Sequence, residues 1–130
     1  IDRPDASLLK GVDEPFYIPH SRFATWDFDE IAALSEIAVD ASGLPQGPYM
    51  LSSLRYPEHY FTGHGEYATQ TLDNEYRRDL GKGMNPHIPL NYYPADDPSQ
   101  QPADKWHETA VRIMSNWLDE AVTHKLNKTR

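Results

Sequence analysis

The 130-residue chain reads as the tail of an α/β domain. Two observations predict this class. The first half offers short apolar runs of strand-like alternation, punctuated by Pro and Gly. The second half offers two helical stretches separated by a Pro-, Asn- and Asp-rich crossing without periodicity. Strands followed by helix, loop and helix suit one domain of ordinary size.

The elements follow in chain order. Residues 1–26 are expected to be irregular, with Pro4, Pro15 and Pro19 among scattered aromatics and Phe16-Tyr17-Ile18 as a short strand. Asp27 or Asp29 suits the N-cap of a short helix through Leu34. Ser35–Ala41 alternates Ile37 and Val39 with polar or small neighbours and reads as a strand. Gly43 to Pro48 is a turn, and Tyr49–Leu54 and His59–Thr62 are strands joined around Pro57. From Glu66 to Leu80, Ala68, Leu72, Tyr76 and Leu80 recur every four residues, which predicts a helix stopped by Gly81 and Gly83. Pro102 suits the first turn of a second helix. Its buried face is marked by Trp106, Ala110, Ile113, Trp117 and Ala121, and Lys125, Lys128 and Arg130 complement its C-terminal dipole.

Composition narrows the function classes. The formal charge is −8, from 20 acidic and 12 basic residues. That balance argues against a general nucleic-acid surface, which needs cations to displace counterions, and against an anionic membrane surface. No apolar run approaches the ~20 residues of a membrane helix. The absence of cysteine excludes disulfides, thiolate metal sites and a cysteine nucleophile within this chain. The six histidines form no metal-ligand spacing, so no metal site is expected. The N-terminus lacks both an initiator Met and signal-peptide character, which suggests a chain that begins mid-protein.

Three constellations can carry chemistry. In Thr62-Gly63-His64-Gly65-Glu66-Tyr67 an imidazole and a carboxylate stand two residues apart, and in extended backbone they project to one side. A carboxylate beside an imidazole fixes its tautomer and stabilises the imidazolium formed on proton abstraction. The plainer reading is a surface His and a helix-capping Glu beside a Gly-rich turn. Thr71, Glu75 and Arg78 share one helical stripe, where Arg78 can clamp a carboxylate or simply pair with Glu75. Pro19-His20-Ser21-Arg22 places a hydroxyl and a guanidinium after a fixed turn, suited to a polar ligand or to plain loop capping.

In this order and at these spacings, Pro19-His20-Ser21-Arg22, Thr62 to Tyr67, Glu75-Tyr76-Arg77-Arg78-Asp79 and Pro89-Leu90-Asn91-Tyr92-Tyr93-Pro94 closely resemble the C-terminal half of the homoserine O-acyltransferase family. Asp96-Asp97-Pro98, Trp106 and Ser115-Asn116-Trp117-Leu118 continue the match, which runs from about Leu8 to about Val122. The resemblance implies a class I glutamine amidotransferase-like (flavodoxin-like) three-layer sandwich, with a mainly parallel sheet and helices on both faces. Residues 1–130 are then the C-terminal half of an acyltransferase domain, with the nucleophile-bearing half absent. It implies ping-pong acyl transfer from acetyl-CoA or succinyl-CoA, through an acyl-cysteine, to the hydroxyl of L-homoserine in methionine biosynthesis.

By the same resemblance, His64 is the catalytic base and Glu66 orients it. Arg78 binds the carboxylate of the amino-acid substrate, Ser21 lies in the substrate pocket, and Glu75 contacts the substrate amino group. No bound cofactor is implied, acyl-CoA being a co-substrate. The implied partners are the missing N-terminal half and a second copy in a homodimer, in the cytoplasm. The chain departs from the family at Gly65, where Pro is common, at Ala68, where Asp is common, and in the loop from Gly43 to Pro48. These departures leave room for a serine O-acetyltransferase of the same family, serving cysteine biosynthesis. An inactive fragment, a non-enzymatic binding module and an amidotransferase-like hydrolase are the further alternatives.

Overall fold

The computed structural model describes residues 1–22, 24 and 26–128. It has a mixed α/β architecture: a three-stranded antiparallel sheet with helices beside it. Helix α1 spans Phe28–Ala32, and Asp27 caps it by accepting a hydrogen bond from the Glu30 amide at 3.0 Å. Strands β1 (Ile37–Gly43), β2 (Gly47–Ser53) and β3 (His59–Phe61) follow in spatial order β1-β2-β3. Helix α2 covers Thr71–Gly81 and helix α3 covers His107–Lys128.

The parallel sheet implied by the resemblance is not found among the described residues. The connections dictate this: Leu44 to Gln46 join β1 to β2, and residues 54–58 join β2 to β3. Parallel neighbours need a crossover of a dozen or more residues, so these strands can only form hairpins. Register runs from Ile37↔Ser53 to Gly43↔Gly47 on one side of β2, and from Met50↔Phe61 to Ser52↔His59 on the other.

The register shifts at Asp40, between Val39 and Ala41. The irregularity leaves the Asp40 carbonyl to accept from the Asp2 and Arg3 amides at 3.0 and 3.1 Å, which sews the N-terminal segment to the sheet. That segment is not idle loop: Leu8 and Leu9 are buried with Ala41, Tyr49, Met50 and Ile113 in the main core. The Asn116 amide donates to the carbonyls of Leu8 and Lys10. His59 on β3 meets Glu120 on α3 at 2.8 Å, and Ser7 bonds the same carboxylate. Phe16-Tyr17-Ile18 forms no strand.

Both long helices start five residues later than periodicity predicts. Residues 66–70 form turns because other contacts claim them: Glu66 turns to His64, and the Tyr67 carbonyl accepts from the Trp106 indole at 3.0 Å. Pro102 precedes α3, whose first amides are satisfied by Asp104, which accepts from Trp106 and His107 at 3.1 and 2.9 Å. Of the stripe expected on α2, Leu72 is buried and Tyr76 half-buried, while Leu80 is exposed. On α3, Ile113 is buried, but Trp117 is 39% exposed and Met114 and Leu118 also face outward. Arg130 and the side chain of Lys128 lie outside the described residues.

A second cluster joins α2 to the crossing after it. Leu72, Tyr92, Tyr93 and Trp106 are buried together. Asp73 accepts from the Tyr93 hydroxyl at 2.6 Å and from Arg77 at 2.9 Å. Burial pushes the Asp73 carboxyl up, but the bonds from Arg77 and Tyr93 outweigh it and hold it below the usual carboxylate range. Asn91-Tyr92-Tyr93-Pro94 thus acts as a clamp on the start of α2. No helix among the described residues is long and apolar enough to cross a membrane.

Candidate functional site

The site is built where β3 ends. Thr62 is tied back to β2: its amide donates to the Tyr49 carbonyl at 2.9 Å and its hydroxyl to the Pro48 carbonyl at 2.6 Å. The next two residues meet the Pro19 segment. The His64 amide donates to the Pro19 carbonyl at 2.8 Å. Gly63 is required by the closeness of that meeting. A Cβ there would stand 2.8 Å from Ile18 Cγ2 and 2.9 Å from His20 Nε2, inside van der Waals contact. Gly65 abuts α3 in the same way, its notional Cβ 3.0 Å from that of Ala110.

His64 Nδ1 and Glu66 Oε1 are 2.9 Å apart. The imidazole is about one-third exposed, its side chain at 35%, and Glu66 is open to solvent. Burial alone would raise the Glu66 carboxyl, but backbone and His64 hydrogen bonds and the nearby imidazole hold it low. An ionised acceptor at Nδ1 keeps the proton there and leaves Nε2 available for proton transfer.

Tyr67 stacks on His64, with ring centroids 4.4 Å apart and planes 15° from parallel. Its hydroxyl donates to Glu75 Oε1 at 3.0 Å, and the Ser21 side chain lies close enough to act on the same phenol. Burial, then Glu75, pushes the Tyr67 hydroxyl up, so it acts as a donor. The second Glu75 oxygen is buried and has no hydrogen-bond partner among the described residues.

Ser21, His64, Glu66 and Glu75 are therefore drawn together from the Pro19 loop, the post-β3 turn and α2. Arg78 lies one turn further along α2. Its guanidinium grips Asp79 by two bonds, Nε to Oδ1 at 2.8 Å and Nη2 to Oδ2 at 3.2 Å. The pair with Glu75 that spacing alone suggests does not form, because Glu75 is turned inward to Tyr67.

Sequence reasoning missed two members. Tyr67 lies in the quoted motif, and its three-residue offset from His64 is the only signal that the rings can meet. His20 sits behind Gly63, edge-on to Tyr49 with centroids 6.0 Å apart. Burial, then the charges of Arg22 and His64, lowers its imidazole to about 4, so it is neutral at physiological pH. A cleft of about 360 Å³ walled by Phe16, Tyr17, Pro19, Tyr49 and Trp106 opens beside His20, and His64, Glu66 and Arg78 do not line it. Among the described residues no cluster of three His, Cys, Asp or Glu can hold a metal ion.

Comparison with known proteins adds a separate line of evidence. The homoserine O-succinyltransferase family model matches residues 1–127. A homoserine O-acetyltransferase of Streptococcus thermophilus is 43% identical over 122 residues, covering 94% of this chain and 39% of the relative. A homoserine O-succinyltransferase of Shewanella piezotolerans is 43% identical over 112 residues, covering 86% of this chain and 36% of the relative. Another, of Shewanella pealeana, is 40% identical over 112 residues. The chain thus spans less than half the length of the curated relatives it matches, 39% and 36% in the first two.

Proposed function

This chain belongs to the homoserine O-acyltransferase family, and from that premise we propose that it supplies the acid–base pair and substrate clamp of an acyl-CoA-dependent acyltransferase. The acceptor is the hydroxyl of L-homoserine and the donor is acetyl-CoA or succinyl-CoA. The observation that carries this reading is the His64–Glu66 contact of 2.9 Å, together with a buried carboxylate oxygen of Glu75 that has no partner among the described residues. Within the larger protein, the chain forms the C-terminal portion of a class I glutamine amidotransferase-like domain, whose parallel sheet lies outside these residues.

The chemistry follows in two half-reactions. The nucleophile is a cysteine thiol outside this chain, which has no cysteine. His64 takes the thiol proton, and the thiolate attacks the thioester carbonyl. The CoA thiolate leaves with the proton from His64, and the acyl group rests on the cysteine. His64 then takes the proton of the homoserine hydroxyl. The oxygen attacks the acyl-cysteine, and the cysteine thiolate departs and takes the proton back from His64. Glu66 holds the imidazole in one tautomer and stabilises its charged form in both halves. Arg78 exchanges Asp79 for the substrate carboxylate, a planar fork on a planar anion. The unpartnered Glu75 oxygen receives the substrate ammonium, and Ser21 lines the pocket.

The test is CoA-thiol release by the whole protein, with either acyl-CoA and with homoserine, serine or no acceptor. Homoserine-dependent release that disappears in His64→Ala is expected. Equal release by that variant sinks the assignment, and release with serine alone moves the acceptor to serine.

A further inference from the structure

We propose that Tyr67 is the positioning residue that ties the base to the acceptor-binding carboxylate, fixing the distance between the reacting hydroxyl and the acceptor's ammonium. The inference rests on the reading given above and deepens it. Tyr67 contacts both the base and the acceptor-binding carboxylate. Its ring lies on the His64 imidazole at 4.4 Å and 15°. Its hydroxyl, 3.0 Å from Glu75 Oε1, occupies one carboxylate oxygen and leaves the other buried and without a partner among the described residues. Ser21, close enough to act on the phenol, brings the Pro19 loop to the same joint.

Tyr67 is itself rigidly held. Its carbonyl accepts from the Trp106 indole at 3.0 Å, and its amide donates to the His64 carbonyl at 3.3 Å. Its ring packs against the buried cluster of Leu72, Tyr92, Tyr93 and Trp106. A ring fixed in this way limits rotation of an imidazole that is about one-third exposed. Glu66 is itself 71% exposed in its side chain, so it orients the imidazole without burying it. Displacing a reacting group by about 1 Å costs on the order of a hundredfold in rate, so the stack bears on proton transfer in both half-reactions. The phenol–carboxylate bond bears on acceptor binding alone. The two functions therefore separate by substitution.

The experiment uses the whole protein and measures the rate of acyl-enzyme formation from acyl-CoA and, separately, the acceptor KM. Tyr67→Phe keeps the ring on His64 and removes the hydroxyl. We expect acyl-enzyme formation within about twofold of wild type and an acceptor KM raised about tenfold, the scale of one hydrogen bond to a charged group. Tyr67→Leu removes both contacts, and acyl-enzyme formation is expected to fall at least about tenfold as well. A residue that only supported the fold would not split the two parameters in this way, and Phe would not rescue one of them alone. Tyr67→Phe with an unchanged acceptor KM overturns the inference while leaving the acyltransferase reading intact. So does Tyr67→Leu, in folded protein, with a wild-type rate of acyl-enzyme formation. A wild-type protein that forms no acyl-enzyme overturns the acyltransferase reading and this inference with it.

Discussion

Acidifying the protein should destabilise it through His20, by an amount the structure sets. Burial first, then the charges of Arg22 and His64, holds the His20 imidazole at about 4 against an ordinary 6.5. Between those values the unfolded chain binds a proton that the native chain refuses. Stability therefore falls as pH drops through 6.5, and the full loss is reached just below 4. The interval corresponds to roughly 3 kcal/mol at the acid limit. About 2 kcal/mol of it should be lost between pH 7 and pH 5. The assay is urea unfolding of the whole protein at both pH values, beside His20→Gln, which keeps a polar side chain and cannot titrate. The variant should lose about 2 kcal/mol less than wild type over that step. Because burial leads the causes, the difference should persist at about 0.5 M salt, where exposed charge interactions are screened. Equal pH dependence of the two proteins would refute the reasoning.

Three further outcomes are expected. Gly63→Ala places a methyl 2.8 Å from Ile18 Cγ2 and should cost about 1–3 kcal/mol by overpacking, read as a lower thermal midpoint. Asp73→Asn deprives the buried Tyr93 hydroxyl and Arg77 of their charged acceptor. It should cost about 1–3 kcal/mol in denaturant unfolding. Asp73 is also an acid-sensitive point, since its carboxyl is held low when folded. Its contribution is present above the unfolded value and lost as pH falls through the folded one. Arg78→Ala should raise the acceptor KM by about tenfold or more while acyl-enzyme formation proceeds, and stopped-flow measurement of the first half-reaction separates the two.

Legibility in the sequence differs sharply between elements. The strands are legible because local signals decide them: alternation in Ile37–Val39, the turn from Gly43 to Pro48 and the short link through Pro57. The Asp27 cap is legible for the same reason. Helix starts are less so. Residues 66–70 have helical spacing, but the His64–Glu66 contact, the Ala110 approach to Gly65 and the Trp106 bond to the Tyr67 carbonyl hold them in turns. Ala110 and Trp106 come from about 40 residues away, and no local pattern announces them. The outward faces of Leu80 and Trp117 show the complementary error, since periodicity marks an apolar stripe without saying which part of it is covered.

Within the site, the His64–Glu66 contact is readable from its two-residue spacing. Convergence of Ser21, Tyr67 and Glu75 is not, because it depends on the Pro19 loop meeting the post-β3 turn across Gly63. The parallel sheet that the family resemblance implies is not found among the described residues, for a reason the sequence does contain. Three- and five-residue links between strands permit only antiparallel neighbours.

In the proposed reaction His64, backed by Glu66, serves as base for an acyl group carried on a cysteine elsewhere in the protein. The most direct test of this role is intact-mass spectrometry of the whole protein after incubation with acetyl-CoA or succinyl-CoA, first without and then with homoserine. One added acyl group is expected on a cysteine in the wild type, removed when homoserine is supplied, and none in His64→Ala. Acylation and homoserine-dependent discharge at equal rates in His64→Ala would contradict it.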